Sequence, residues 1–234
     1  MATSKSSGSK SGGTKVVYDT AVVSESEDGC KHLIVDPSID KSVYVERALE
    51  DPTILDAIID SLCGEMRRAR QFCATIVALI SKEKPEVLEP SVDHLLDALH
   101  RPEAQTRWEV LDALYNMVGI CADKCLPGID GAEISLWDEE SGPARLAAFK
   151  FLCAMGATAP EVSEKVWPNI DEAIQCYHGD LEFPDMLGEL IAFGRSNASA
   201  DVKEKLAARM KFDASNGKGA LKNKATAIVE ACKA

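Results

Sequence analysis

The chain has 234 residues, of which 46% are hydrophobic and 27% charged, so it can build a core and is not a wholly disordered polypeptide. No apolar run approaches the roughly 18 residues that span a bilayer, and no apolar signal core opens the sequence. A net charge of -12 argues against a general binder of phosphate backbones, and so against nucleic acid as a partner.

Residues 1–15 carry Lys5, Lys10 and Lys15, no acid, and otherwise mostly Ser and Gly. Composition makes them a disordered tail. Residues 16–44 are an N-terminal extension. Val16-Val17-Tyr18, Ala21-Val22-Val23 and Leu33-Ile34-Val35 are β-prone, and Asp28-Gly29 is a turn signal among them. The extension reads as a short β-hairpin or as a disordered segment. A lone hairpin is marginal in water, so it must pack on something or stay mobile.

From residue 45 to residue 234 the pattern is helical, with apolar residues recurring at three and four. It also repeats. Pro52, Pro90, Pro127 and Pro168 are spaced by 38, 37 and 41 residues. Three of them open similar phrases: Pro90-Ser91-Val92-Asp93, Pro127-Gly128-Ile129-Asp130 and Pro168-Asn169-Ile170-Asp171. Arg68, Arg107 and Arg145 form a second ladder, spaced by 39 and 38. Two markers on one period indicate a structural repeat.

Each unit reads as two helices. In one, Val92, Leu95, Leu96 and Leu99 share a face, and His100-Arg101-Pro102 ends the helix because proline cannot continue the hydrogen-bond ladder. The next helix carries Leu111, Leu114, Val118 and Cys121 on one stripe. Pro85 and Pro160 start the first helices of two units, with kinks expected at Pro90 and Pro168. Short amphipathic helix pairs cannot bury their stripes alone, so stacking is required and about five pairs imply a solenoid.

A helix pair of about 38 residues, with proline in its first helix and arginine early in its second, resembles the HEAT-repeat family. Leu88 to Cys125 is the closest match. The resemblance implies an all-α fold, an ARM-type right-handed superhelix whose second helices line the concave side. HEAT units usually carry an Asp between the helices, paired with the ladder arginine. Asp138 before Arg145 fits, whereas His100 and Arg101 hold that place before Arg107, and Asp185 stands where the next arginine would fall. The ladder is therefore expected to be incomplete.

Trp108 and Asp112 are four apart on one second helix and share a face. Arg145 is one unit further on and is expected beside them on the concave side. An aromatic, a carboxylate and an arginine are similar to the set used by HEAT-like alkylpurine DNA glycosylases, which makes that activity the alternative reading. The plainer one is that Arg145 is the repeat arginine and Trp108 a core residue. Cys121 and Cys125 share a helical face, and Cys176 lies two residues before His178. Metal binding would require four such groups to converge, and cysteine on an apolar helix face is commoner. Gly217-Lys218-Gly219 lacks the rest of a phosphate-loop pattern and reads as a helix–helix turn.

No catalytic, cofactor or metal constellation emerges from the spacing. The leading expectation is a non-catalytic interaction or scaffold protein, using Trp108, Asp112 and Arg145 on its concave face. Residues 199–234 carry a net +4 and residues 1–15 a net +3, which leaves -19 on residues 16–198. That acidic body suits a basic segment of another protein. The eight cysteines read as reduced residues, which places the chain in the cytoplasm.

Overall fold

Short polar side chains and prolines fix where the helices begin. Asp40 accepts a hydrogen bond from the Ser42 amide at 2.9 Å, and Asp51 one from the Thr53 amide at 2.8 Å. Ser141 and Ser199 accept from amides three residues on, each at 3.3 Å. Each satisfies a first-turn donor that has no partner inside its helix. Pro52 and Pro160 open helices at positions where no amide is needed.

The structure, a computed structural model, describes residues 22–25, 31–34, 36 and 38–233. The expected tail at 1–15, the β-prone Val16-Val17-Tyr18 and the Asp28-Gly29 turn lie outside these. Strands β1 (Val22–Glu25) and β2 (Lys31–Ile34) pair antiparallel, with Val22 opposite Ile34. Eleven α-helices follow among the described residues. They are α1 (Lys41–Glu50), α2 (Pro52–Cys63), α3 (Arg67–Glu83), α4 (Val92–Ala98), α5 (Ala104–Cys125) and α6 (Gly128–Leu136), then α7 (Gly142–Gly156), α8 (Pro160–Cys176), α9 (Phe183–Gly194), α10 (Ala200–Asn216) and α11 (Gly219–Ala231). The hairpin rests on α2, where Leu33 is buried and its amide donates to Ser61 Oγ at 3.1 Å.

The helices stack in two series. The second helices α3, α5, α7, α9 and α11 each pack on the next. The first helices touch more sparsely, α2 on α4 and α6 on α8 on α10. The crowded series is the inner side of the arc and the splayed series the outer. One continuous apolar core runs between them, from Tyr44 to Ile228. The stripe Leu111, Leu114, Val118 and Cys121 is buried as the period requires. Lys84 (φ -144°, ψ 70°) and Cys121 (φ -141°, ψ 54°) leave helical geometry 37 residues apart. Each marks where one unit's second helix gives way to the next unit. The two prolines behave differently. Pro85–Ser91 is a 3-10 turn that passes into α4 after Pro90, whereas α8 runs through Pro168 to Cys176.

The arginine ladder runs through Arg70, not Arg68. Arg70 gives Nε and Nη2 to the two Glu103 oxygens, and Nη1 to the carbonyls of Gly64 and Glu65 at 2.7 and 2.8 Å. Arg107 repeats the arrangement with Asp138 and the carbonyls of Arg101 and Pro102. Arg145 takes the carbonyls of Asp138 and Glu139, with Asp180 and Glu182 at 4.0 and 3.7 Å. The expected gap before Arg107 is therefore filled, by Glu103, and each guanidinium ties the turn of its own unit to the next. Arg68 is exposed at the start of α3.

Candidate functional site on the concave face

The second helices present their half-buried polar side chains along the inside of the arc. Thr75 on α3 donates its hydroxyl to Glu109 on α5 at 2.9 Å. Asp112, also on α5, accepts from Lys150 Nζ on α7 at 3.1 Å. That ammonium also stands 5.0 Å from the centre of the Tyr115 ring, a cation–π contact. The Tyr115 hydroxyl donates to Glu189 on α9 at 3.1 Å. This last bond passes over α7, whose Cys153 is buried and whose Ala154 is half-buried.

Two protonation equilibria follow. Burial pushes the Tyr115 phenol up to about 12, with the Glu189 carboxylate adding to it. Burial also raises the Glu109 carboxyl above its ordinary range. The Thr75 hydroxyl opposes the rise, Asp112 adds to it, and Lys41 and Lys82 counter it from further off. A raised carboxyl favours the protonated form in the folded state, so its contribution to stability falls as pH rises from the unfolded value through the folded one. Glu109→Gln is therefore expected to stabilise the chain at pH 7, seen as a higher thermal midpoint. The gain should vanish at pH 4. A thermal melt at both values checks it.

Trp108 and Asp112 lie on α5 as the spacing requires, with Trp108 half-buried against the core. Arg145 is not gathered with them. Its guanidinium belongs to the ladder at the turns and lies over the Tyr177 ring at 5.1 Å. The cation that meets Asp112 is Lys150. Lys150, Tyr115, Glu109 and Glu189 were not singled out by sequence. The period itself carried part of the signal, since Lys150 is 38 residues beyond Asp112.

The remaining candidates resolve locally. Cys121 and Cys125 are buried beside the break in α5, with sulfurs 4.0 Å apart. His178 faces Asp213 at 3.3 Å and the Phe183 ring at 4.9 Å, while Cys176 is exposed. No group of three or more His, Cys, Asp or Glu that could hold a metal ion occurs among the described residues. Gly217-Lys218-Gly219 is the turn between α10 and α11, with Gly219 at φ 56°, where glycine carries no steric penalty. In the basic last unit, Arg209 pairs with Asp171 at 2.7 Å and Lys224 donates to the Pro184 carbonyl. No helix among the described residues is long and apolar enough to cross a membrane.

No family model matches the chain, and no curated protein matches it by sequence. Solved structures do match in shape. A designed armadillo repeat protein, YIII(Dq)4CqI, superposes with a TM-score of 0.65 at 14% identity, covering 80% of this chain and 85% of that one. Another, in complex with the peptide (KR)4, gives 0.64 at 15% identity over the same shares. An engineered protein reaches 0.66 at 12% identity, covering 84% of this chain and 87% of that one. The fold is an armadillo/HEAT-type α-solenoid. At such identities the likeness carries the fold alone. Two of these neighbours are designed armadillo repeat proteins, and the solenoid form is compatible with a protein-interaction scaffold.

Proposed function

We propose that this solenoid is a non-catalytic interaction protein whose concave face docks a basic segment of another protein. One observation carries the reading. Glu109, Asp112 and Glu189 lie on the inner helices α5 and α9, and Lys150 is the only cation in direct contact with any of them among the described residues. Extra negative charge on a partly desolvated surface attracts an incoming cation more strongly than the same charge in open water. The armadillo neighbour bound to (KR)4 supports the same partner chemistry by analogy. Trp108 lies one helical turn from Asp112 and offers an aromatic face to a cation. Arg145, committed to the turns, would act through the edge of the face. The seven described cysteines are free thiols, which fits a reducing compartment such as the cytoplasm.

N-acetylated octaarginine is the simplest probe. Its affinity, read by fluorescence anisotropy, is expected to fall steeply with salt. Glu109→Lys should weaken it several-fold. Asp130→Lys on outer helix α6 should leave it nearly unchanged. Binding that ignores salt, or that responds equally to both substitutions, would refute the reading.

A further inference from the structure

The Lys150 ammonium is held by two groups, one of them braced by a third. Asp112 Oδ1 lies 3.1 Å away and supplies charge. The Tyr115 ring lies 5.0 Å away and supplies an aromatic face. Glu189, holding the Tyr115 hydroxyl at 3.1 Å, fixes that ring in place. A carboxylate with an oriented aromatic face is a general means of holding a desolvated cation. Lys150 and Asp112 keep 27% and 28% of their side-chain surface exposed, so the place is reachable from the groove. Beside Glu189, Gly188 leaves open space, and a Cβ built there meets nothing within 4 Å.

We infer that Asp112, Tyr115 and Glu189 form a seat for a lysine or arginine side chain of the partner segment, and that Lys150 fills this seat in cis as an autoinhibitory contact. This rests on the reading of the concave face as the dock for a basic segment. It adds which side chains hold the cation and what must leave first. The chain's own ammonium bound there shows the chemistry the seat accepts. Its displacement sets the apparent affinity, because a partner sees only the fraction of molecules whose seat is empty.

Two measurements on the full chain test this. In the first, N-acetylated octaarginine is titrated at low salt against the wild type, Lys150→Met and Lys150→Arg. Lys150→Met is expected to bind about tenfold more tightly, since it removes the competing ammonium while keeping the length of the side chain. Lys150→Arg should match the wild type. Asp112→Asn in the Lys150→Met background should abolish the gain. In the second, acetylation of Lys150 by an N-hydroxysuccinimide ester is followed by mass spectrometry in the wild type. Octaarginine, which has no primary amine, should speed the reaction at Lys150 by releasing it. Equal or weaker binding by a folded Lys150→Met protein, or a Lys150 acetylation rate that octaarginine slows or leaves unchanged, would overturn the inference while leaving the dock intact. Absence of octaarginine binding to any variant would overturn both.

Discussion

Arg70→Ala is expected to destabilise the chain by about 3–5 kcal/mol, the range for removing one partner of a buried ion pair. The Arg70 and Glu103 side chains are only 10% and 5% exposed. Without the guanidinium, the Glu103 carboxylate stays buried without its ion-pair partner, and the Gly64 and Glu65 carbonyls lose their donor. At this chain size the thermal midpoint should drop by about 10 °C or more. Arg68→Ala, two residues away and exposed, should change stability by less than about 0.5 kcal/mol. A denaturant series on the two variants therefore reads the register of the ladder directly. Glu103 adds a pH signature. Burial works to raise its carboxyl, but the Arg70 hydrogen bonds, a hydrogen bond from its own backbone amide and the charges of Arg70 and Arg67 together outweigh this and hold it below its ordinary value. Its contribution is complete above the unfolded value of about 4.3 and is lost as pH falls through the folded value. Glu103→Gln should flatten the acid limb of the stability profile as well as lowering its plateau.

The period of about 38 residues was legible because every unit must present the same apolar stripe to its neighbours. The register of the ladder was not, and the reason is physical. Arg67, Arg68 and Arg70 stand together at the start of α3, and spacings of 37 or 39 to Arg107 fit one period equally well. Burial decides between them. Arg70 lies beside the buried stripe of Ala69, Cys73 and Ala74, which turns its guanidinium inward. Corrected to Arg70, the residues four places on are Ala74, Leu111 and Phe149, all fully buried. Glu103 was not legible because it lies three residues beyond His100, the place where the repeat pattern puts an Asp. Its longer side chain reaches both Nε and Nη2 of Arg70. Asp138 meets Arg107 through Nη2, and the Arg107 Nε is left buried without a partner.

The concave face was legible only in outline. Asp112 stood out as a carboxylate on a second helix, and its neighbour one unit on follows from the period. Tyr115 and Glu189 are 74 residues apart, about two periods, and sequence spacing alone does not bring alternate units together. The stacking of α5, α7 and α9 does, and its consequence appears only once α5 and α9 are placed on either side of α7. The same geometry explains why Arg145 parted from Asp112. The arginine position is fixed by the turn carbonyls, and it lies more than one helical turn from the row that carries Lys150.

Phe151→Ala is expected to cost about 3–5 kcal/mol, and its coupling to Gly128 tests how the units are joined. Phe151 is fully buried on α7. A Cβ built on Gly128, at the start of α6, would stand 3.1 Å from the Phe151 ring tip and 3.1 Å from Leu96 Cδ2 of the preceding unit. The ring thus closes the seam between two units against bare backbone. Gly128→Ala alone requires the ring and the Leu96 tip to give by a few tenths of an ångström, so it should destabilise by about 1 kcal/mol or less. In the Phe151→Ala background the same methyl enters vacated space and should stabilise instead. A double-mutant cycle should therefore show a favourable coupling of about 0.5–1.5 kcal/mol. Strict additivity would mean that Gly128 and Phe151 do not share this seam. Hydrogen exchange adds a spatial readout. Because a solenoid is held by nearest-neighbour interfaces, Phe151→Ala should loosen α6, α7 and the flanking α5 most, with α11 least affected. Uniform loss of protection along the whole chain would instead indicate a single cooperative unit.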